Sequence, residues 1–158
     1  MSDYTRTTRE CTFDQLRPEL RTALRERAEQ KQLGDLAATA TIVCETTSEK
    51  KKSGLMGKLR GGAAIQYTAI ILTPKWLVWV ATDDRGQAGG VMWARLRDIT
   101  ATDYATTPNY RLMPDSGVQV FGLLAEFPER AQAFIGLGNE TAAVHFRHLL
   151  AAAIAATG

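Results

Sequence analysis

The sequence predicts an α+β domain made mainly of β-strands, with one helix before the strands and one after them. The first observation is a succession of short β-branched or alternating segments separated by short polar turns. The second is a helical spacing of apolar residues near each end of the chain. Strands that follow one another through short connections favour antiparallel pairing, so a meandering antiparallel sheet is expected.

Composition limits the classes of function. The chain has 158 residues, 45% of them hydrophobic and 23% charged, and a formal net charge of +2. These values are typical of one globular domain with a core of its own. A charge of +2 gives no bulk attraction to nucleic acid, so any electrostatic function must come from local clusters.

The first 34 residues predict a polar tail and an amphipathic helix. Residues 1–11 are polar and are expected to be frayed. Pro18 suits the first turn of a helix, and Gly34 suits its end. The apolar face of this helix consists of Phe13, Leu16, Leu20, Ala23 and Leu24.

Seven segments of the middle region have strand character. The turn Thr73-Pro74-Lys75 separates two of them, which predicts a hairpin. The segments cover residues 39–47, 63–73, 76–82, 91–96, 99–106, 117–124 and 131–137.

The last segment predicts a closing helix. Asn139 is a suitable N-cap, and the helix is expected to run to about residue 156. A strongly bent antiparallel sheet leaves one end of its apolar interior uncovered. A single amphipathic helix can cover that end and bury its own apolar face. That face consists of Ala142, Phe146, Leu149, Leu150 and Ala153.

The stretch AIILTPKWLVWVATDDRGQAGGVMWARLRDIT resembles the core of bacterial pleckstrin-homology (PH) and GRAM-like domains. The matching positions are Thr73, Lys75, Leu77, Leu96 and Ile99, whereas Trp76 stands where the family usually has arginine. The terminal GNETAAVHFRHLLAAAI is similar to the closing helix of that fold. The resemblance implies a seven-stranded antiparallel PH-like bent sheet or barrel over residues 39–156, with the helix of residues 1–34 as an addition.

A basic segment carries the main functional expectation. It contains Lys50, Lys51, Lys52, Lys58 and Arg60, interleaved with glycines. In the family that the chain resembles, the corresponding loop binds phosphoinositide headgroups, and Lys58-Leu59-Arg60 matches part of its signature. Leu55 and Met56 at the expected loop tip suit the lipid interface. The alternative is a solvated loop whose charges only face water.

Other candidate residues point to packing rather than chemistry. Trp76 and Trp79 are separated by an odd number of residues, so one is expected in the core and the other on the outer face. Trp93 is expected to pack across from the strand that contains them. His145 and His148 have a chelating spacing, but no further ligand is evident, so solvent exposure is favoured. Cys11 and Cys44 lack metal-ligand spacing and a disulfide framework.

We therefore expect a non-catalytic binding module with no metal and no cofactor. Its expected partner is an anionic lipid surface or an acidic or phosphorylated protein, bound through residues 50–60. The alternative is a structural domain that self-associates through a sheet edge or the N-terminal helix. Nucleic acid and a transmembrane segment are not expected. The expected location is cytoplasmic, with peripheral contact to the inner membrane surface left open.

Overall fold

A computed structural model of the chain describes residues 3–51, 64–83 and 85–158. The described strands form two antiparallel sheets, one of five strands in the order β1-β2-β3-β4-β5 and one of three in the order β6-β7-β8. The first sheet consists of β1 Tyr4–Cys11, β2 Ile42–Lys50, β3 Ile65–Leu72, β4 Trp76–Ala81 and β5 Met92–Arg95. The second consists of β6 Ile99–Asp103, β7 Gly117–Gly122 and β8 Ala131–Gly136.

Two α-helices lie between β1 and β2, and a third follows β8. They are α1 Pro18–Gln30, the short α2 Leu36–Thr39 and α3 Thr141–Ala155. Pro18 occupies the first turn of α1, as predicted. The structure is thus α+β and mainly β, as expected. It differs from the expected single seven-stranded sheet, because eight described strands divide between two sheets.

The prediction of a frayed start is wrong for Tyr4–Cys11, because these residues form β1. β1 pairs antiparallel with β2 along its whole length, from Tyr4 opposite Lys50 to Cys11 opposite Val43. The two predicted regions, 1–34 and 39–156, therefore share a sheet.

Each predicted strand segment of the middle region overlaps an observed strand, although β2 runs three residues beyond the predicted end at residue 47. β3 and β4 form the predicted hairpin, with Leu72 opposite Leu77. The buried Thr73 holds its turn, because its Oγ1 accepts hydrogen bonds from the backbone N–H groups of Lys75 and Trp76, at 3.2 and 2.9 Å.

Apolar side chains form two clusters on opposite faces of the first sheet. The cluster beneath α1 contains Leu20, Leu24, Ile71 and Val78. The cluster between the sheets and α3 contains Trp79 and the side chains that α3 buries, Ala143, Phe146 and Leu150. Because α1 covers one face, and α3 and the second sheet cover the other, the five-stranded sheet is the middle layer of the molecule.

The tryptophans follow the predicted alternation. Trp79 is buried between the sheets, whereas Trp76 packs at the edge of the other cluster. Trp93 also packs there and lies opposite Val78, as expected.

The closing helix begins one residue later than predicted, since Glu140 and not Asn139 is its N-cap. The Glu140 carboxylate accepts hydrogen bonds from the backbone N–H groups of Thr8 and Asn139. It therefore ties the start of α3 to β1, a partner that the local sequence does not reveal. None of the helices in the described ranges is long and apolar enough to cross a bilayer.

Candidate binding surfaces

Lys50 and Lys51 lie at the end of β2, and both are exposed. The Lys50 backbone N–H donates to the Ala64 carbonyl at 3.0 Å, and the Lys51 N–H donates to the Asp3 carbonyl at 2.8 Å. We call the end of the sheet that these two lysines occupy the Lys50 end. The other predicted site residues, Lys52, Leu55, Met56, Lys58 and Arg60, lie outside the described residues.

A cavity of about 370 Å³ opens between the two sheets near the Lys50 end. Its wall includes Thr68 of β3, Trp79 of β4 and Phe134 of β8. Arg6 and Asp83 bring one positive and one negative side chain to it. Because Arg6 is also paired with Asp115, these two side chains give the cavity itself no preference for an anion.

Arg6 is fixed at the junction of the two sheets and is only 8% exposed. Its Nε and Nη2 donate to the two carboxylate oxygens of Asp115, each at 2.8 Å, and its Nη1 donates to Ser48 Oγ at 2.6 Å. The guanidinium also lies 4.7 Å from the centre of the Tyr4 ring and 5.3 Å from that of Phe134. Bidentate pairing of this kind sets geometry as well as energy, so Arg6 holds β1 against the segment that precedes β7.

That segment carries two strongly exposed apolar residues, Leu112 at 84% and Met113 at 72%. The Tyr104 hydroxyl donates to the Met113 carbonyl at 2.8 Å, and the Tyr104 ring packs edge-on against Phe134 at 5.0 Å. We call Leu112–Met113 the apolar tip. It is separated from Asp115 only by Pro114, and Asp115 pairs with Arg6, whose register partner Ser48 lies two positions before Lys50.

The apolar tip was not among the predicted site residues, although the sequence contains a pattern that indicates it. An adjacent Leu-Met pair between Arg111 and Pro114 is unusual in a polar connecting segment, where apolar side chains gain no burial. Its link to the strand that pairs with the Lys50 strand could not be predicted from the sequence, because it depends on a side-chain pair 109 residues apart.

The two histidines are exposed, as predicted. His145 Nδ1 lies 3.4 Å from a carboxylate oxygen of Glu10, and the pair is half exposed. Within the described ranges, no group of three or more His, Cys, Asp or Glu side chains is placed to hold a metal ion.

The cysteines lie on opposite faces of the first sheet. In the register of β1 and β2, Cys11 is opposite Val43 and Cys44 is opposite Glu10. Burial raises the pKa of the Cys44 thiol to about 12 and also raises the pKa of Cys11. Both thiols are therefore protonated at neutral pH and are poor nucleophiles.

Comparison of the chain with protein-family models, with curated proteins and with solved structures gives no match. The functional argument therefore rests on the geometry and chemistry of the residues described above.

Proposed function

We propose that the chain is a non-catalytic binding module of the PH-like type and that its Lys50 end binds an anionic lipid surface. The PH-like assignment is supported by element order, since residues 39–156 contain seven described strands followed by a closing helix. This is the order of elements that the resemblance of the sequence implies.

The observation that carries the proposal is the Arg6–Asp115 pair, which joins the strand pair that ends in the exposed lysines to the segment that carries the exposed apolar tip. Lys50 and Lys51 supply positive charge, while Leu112 and Met113 supply apolar side chains that gain by leaving water. Each basic residue near an anionic leaflet contributes about 1 kcal/mol, and apolar side chains add to this by entering the interface. Tyr110 is also exposed there and has the amphipathic character of interfacial residues.

The basic segment extends the same argument. Lys52, Lys58 and Arg60 follow Lys51 in the sequence, so up to five cations belong to the segment that leaves the Lys50 end. Five such contacts correspond to about 5 kcal/mol of attraction to an anionic membrane.

Vesicle flotation tests this function. The unchanged chain should float with vesicles that contain phosphatidylserine and remain in the dense fraction with neutral phosphatidylcholine vesicles. Reversing the five cations Lys50, Lys51, Lys52, Lys58 and Arg60 to glutamate should abolish flotation. Salt ions screen the attraction between exposed lysines and anionic headgroups, so binding should also weaken as the salt concentration is raised.

The control for this experiment is the Arg25→Glu/Arg130→Glu variant, which reverses two exposed cations away from the Lys50 end. It should float like the unchanged chain. Flotation that survives the five-fold reversal, or that occurs equally on neutral vesicles, would overturn the proposal.

Self-association is the second candidate, and the apolar tip is the observation that favours it. The N-terminal helix is a less suitable surface, because α1 directs Leu20 and Leu24 into the core. The β1 edge carries Arg9 and Glu10, and charged edges oppose strand pairing. Light scattering after size exclusion distinguishes the candidates: a dimer that Leu112→Ser/Met113→Ser converts to monomer would favour self-association.

A further inference from the structure

A second cavity, of about 790 Å³, lies at the opposite end of the β3–β4 hairpin. Its wall includes the buried Leu33 and Thr73 and the half-buried Trp76. Three exposed cationic side chains, Lys75, Arg95 and Arg97, also line it. We call this cavity the basic groove. It is separated from the Lys50 end by the length of β3, about 25 Å for eight residues.

The backbone brings the three cations together. The Lys75 carbonyl accepts a hydrogen bond from the Leu96 N–H at 3.0 Å, which joins the β3–β4 turn to the end of β5. Arg95 is the register partner of Trp76, and its guanidinium lies 5.2 Å from the centre of the Trp76 ring. The positions of these side chains thus follow from strand pairing and from a turn held by Thr73.

The charges of the groove are not balanced within the described chain. No Asp or Glu lines the groove, and Lys75, Arg95 and Arg97 make no side-chain hydrogen bond or ion pair with a described residue. Other arginines do have carboxylate partners, as Arg6 and Arg9 do. The C-terminal end of α3, near Thr157, carries only about half a negative charge. It can therefore attract one cation but does not balance three.

We propose that the basic groove binds a phosphorylated small molecule that also has a planar or apolar portion. Arginine binds phosphate oxygens bidentately, and two arginines with a lysine match a ligand with two or more negative charges. The volume fits a ligand of nucleotide size and greatly exceeds that of a single phosphate. The half-buried Trp76 offers the apolar surface against which the uncharged portion lies. This site is independent of lipid binding at the Lys50 end.

Isothermal titration calorimetry at physiological salt tests this proposal with ADP, inorganic pyrophosphate and citrate as probes. ADP should bind most tightly and pyrophosphate more weakly, because only ADP also contacts Trp76. Citrate should be the weakest probe, because its carboxylates lack the geometry of a diphosphate. The Arg95→Gln/Arg97→Gln variant should bind ADP at least about tenfold more weakly, given the strength of hydrogen bonds between charged groups.

Two matched variants complete the experiment. Arg25→Gln/Arg130→Gln removes the same charge elsewhere and should bind ADP like the unchanged chain, whereas Arg95→Lys/Arg97→Lys should restore part of the affinity. The proposal is overturned if neither ADP nor pyrophosphate shows measurable binding at a ligand concentration of about 5 mM. It is also overturned if citrate binds as tightly as ADP, or if the glutamine variant binds ADP as the unchanged chain does. None of these results bears on vesicle flotation, so the two sites are tested separately.

Discussion

Single residues fix this fold through partners that are distant in the sequence. Arg6 joins β1 to Asp115, and Glu140 joins the start of α3 to Thr8. Thr8 is itself buried, and its hydroxyl lies 2.8 Å from that of Thr46 and accepts from the Gly138 N–H at 2.9 Å. Since β1 buries Thr8 and most of Arg6 rather than apolar side chains, the alternation that marks a strand is absent from its sequence. This is why residues 4–11 were predicted as a tail.

Replacing Arg6 tests the importance of this junction. Arg6→Ala should lower the free energy of unfolding by about 3 kcal/mol, because it removes the guanidinium from a largely buried ion pair with Asp115. Urea unfolding followed by circular dichroism measures the change. The control is Arg25→Ala, whose pair with Asp14 is 62% and 83% exposed and should contribute less than about 0.5 kcal/mol. Equal stabilities of the two variants would show that the Arg6 junction is not required.

At the scale of elements, the strands β2 to β8 and the two long helices could be predicted because their signals are local. The β3–β4 hairpin follows from Thr73-Pro74-Lys75 between two apolar runs, and α1 begins at Pro18 as its backbone restriction favours. The division into two sheets could not be predicted, since it depends on where pairing stops between β5 and β6. There Leu96–Asp98 forms a single 3-10 turn, and β6 pairs instead with β7.

The second sheet depends on a close backbone approach at Gly122. Gly122 is opposite Ile99 and has a φ of +145°, and a Cβ there would lie 2.1 Å from the Asp98 carbonyl oxygen. Gly122→Ala should lower the free energy of unfolding by about 3 kcal/mol, because a backbone oxygen cannot move aside as a side chain can. Gly90→Ala is the matched control, since a Cβ at Gly90 meets nothing within 4 Å. If thermal unfolding shows the same small loss of stability for Gly122→Ala and Gly90→Ala, the close backbone approach at Gly122 does not constrain the fold.

At the scale of the whole molecule, candidate binding groups lie at the two ends of the β3–β4 hairpin. Lys50 and Lys51 could be identified from the sequence because they belong to one continuous basic segment. The basic groove could not, because Lys75 and Arg95 are twenty positions apart and meet only through the pairing of β4 with β5. The separation of the two ends has a consequence: if the Lys50 end faces a membrane, the groove stays accessible from the other side.

The most direct test of the central claim measures which end meets the membrane. An environment-sensitive dye is attached at Met113→Cys or, in a second variant, at Lys75→Cys, both exposed positions. Labelling of the native Cys44 should be slow, because its thiol has a pKa of about 12, and Cys11→Ser in both variants removes the other native thiol. On phosphatidylserine vesicles the emission of the dye at position 113 should shift to the blue, while the dye at position 75 should not change. A blue shift at position 75 alone, or no shift at position 113 in protein that floats with the vesicles, would contradict lipid binding through the Lys50 end.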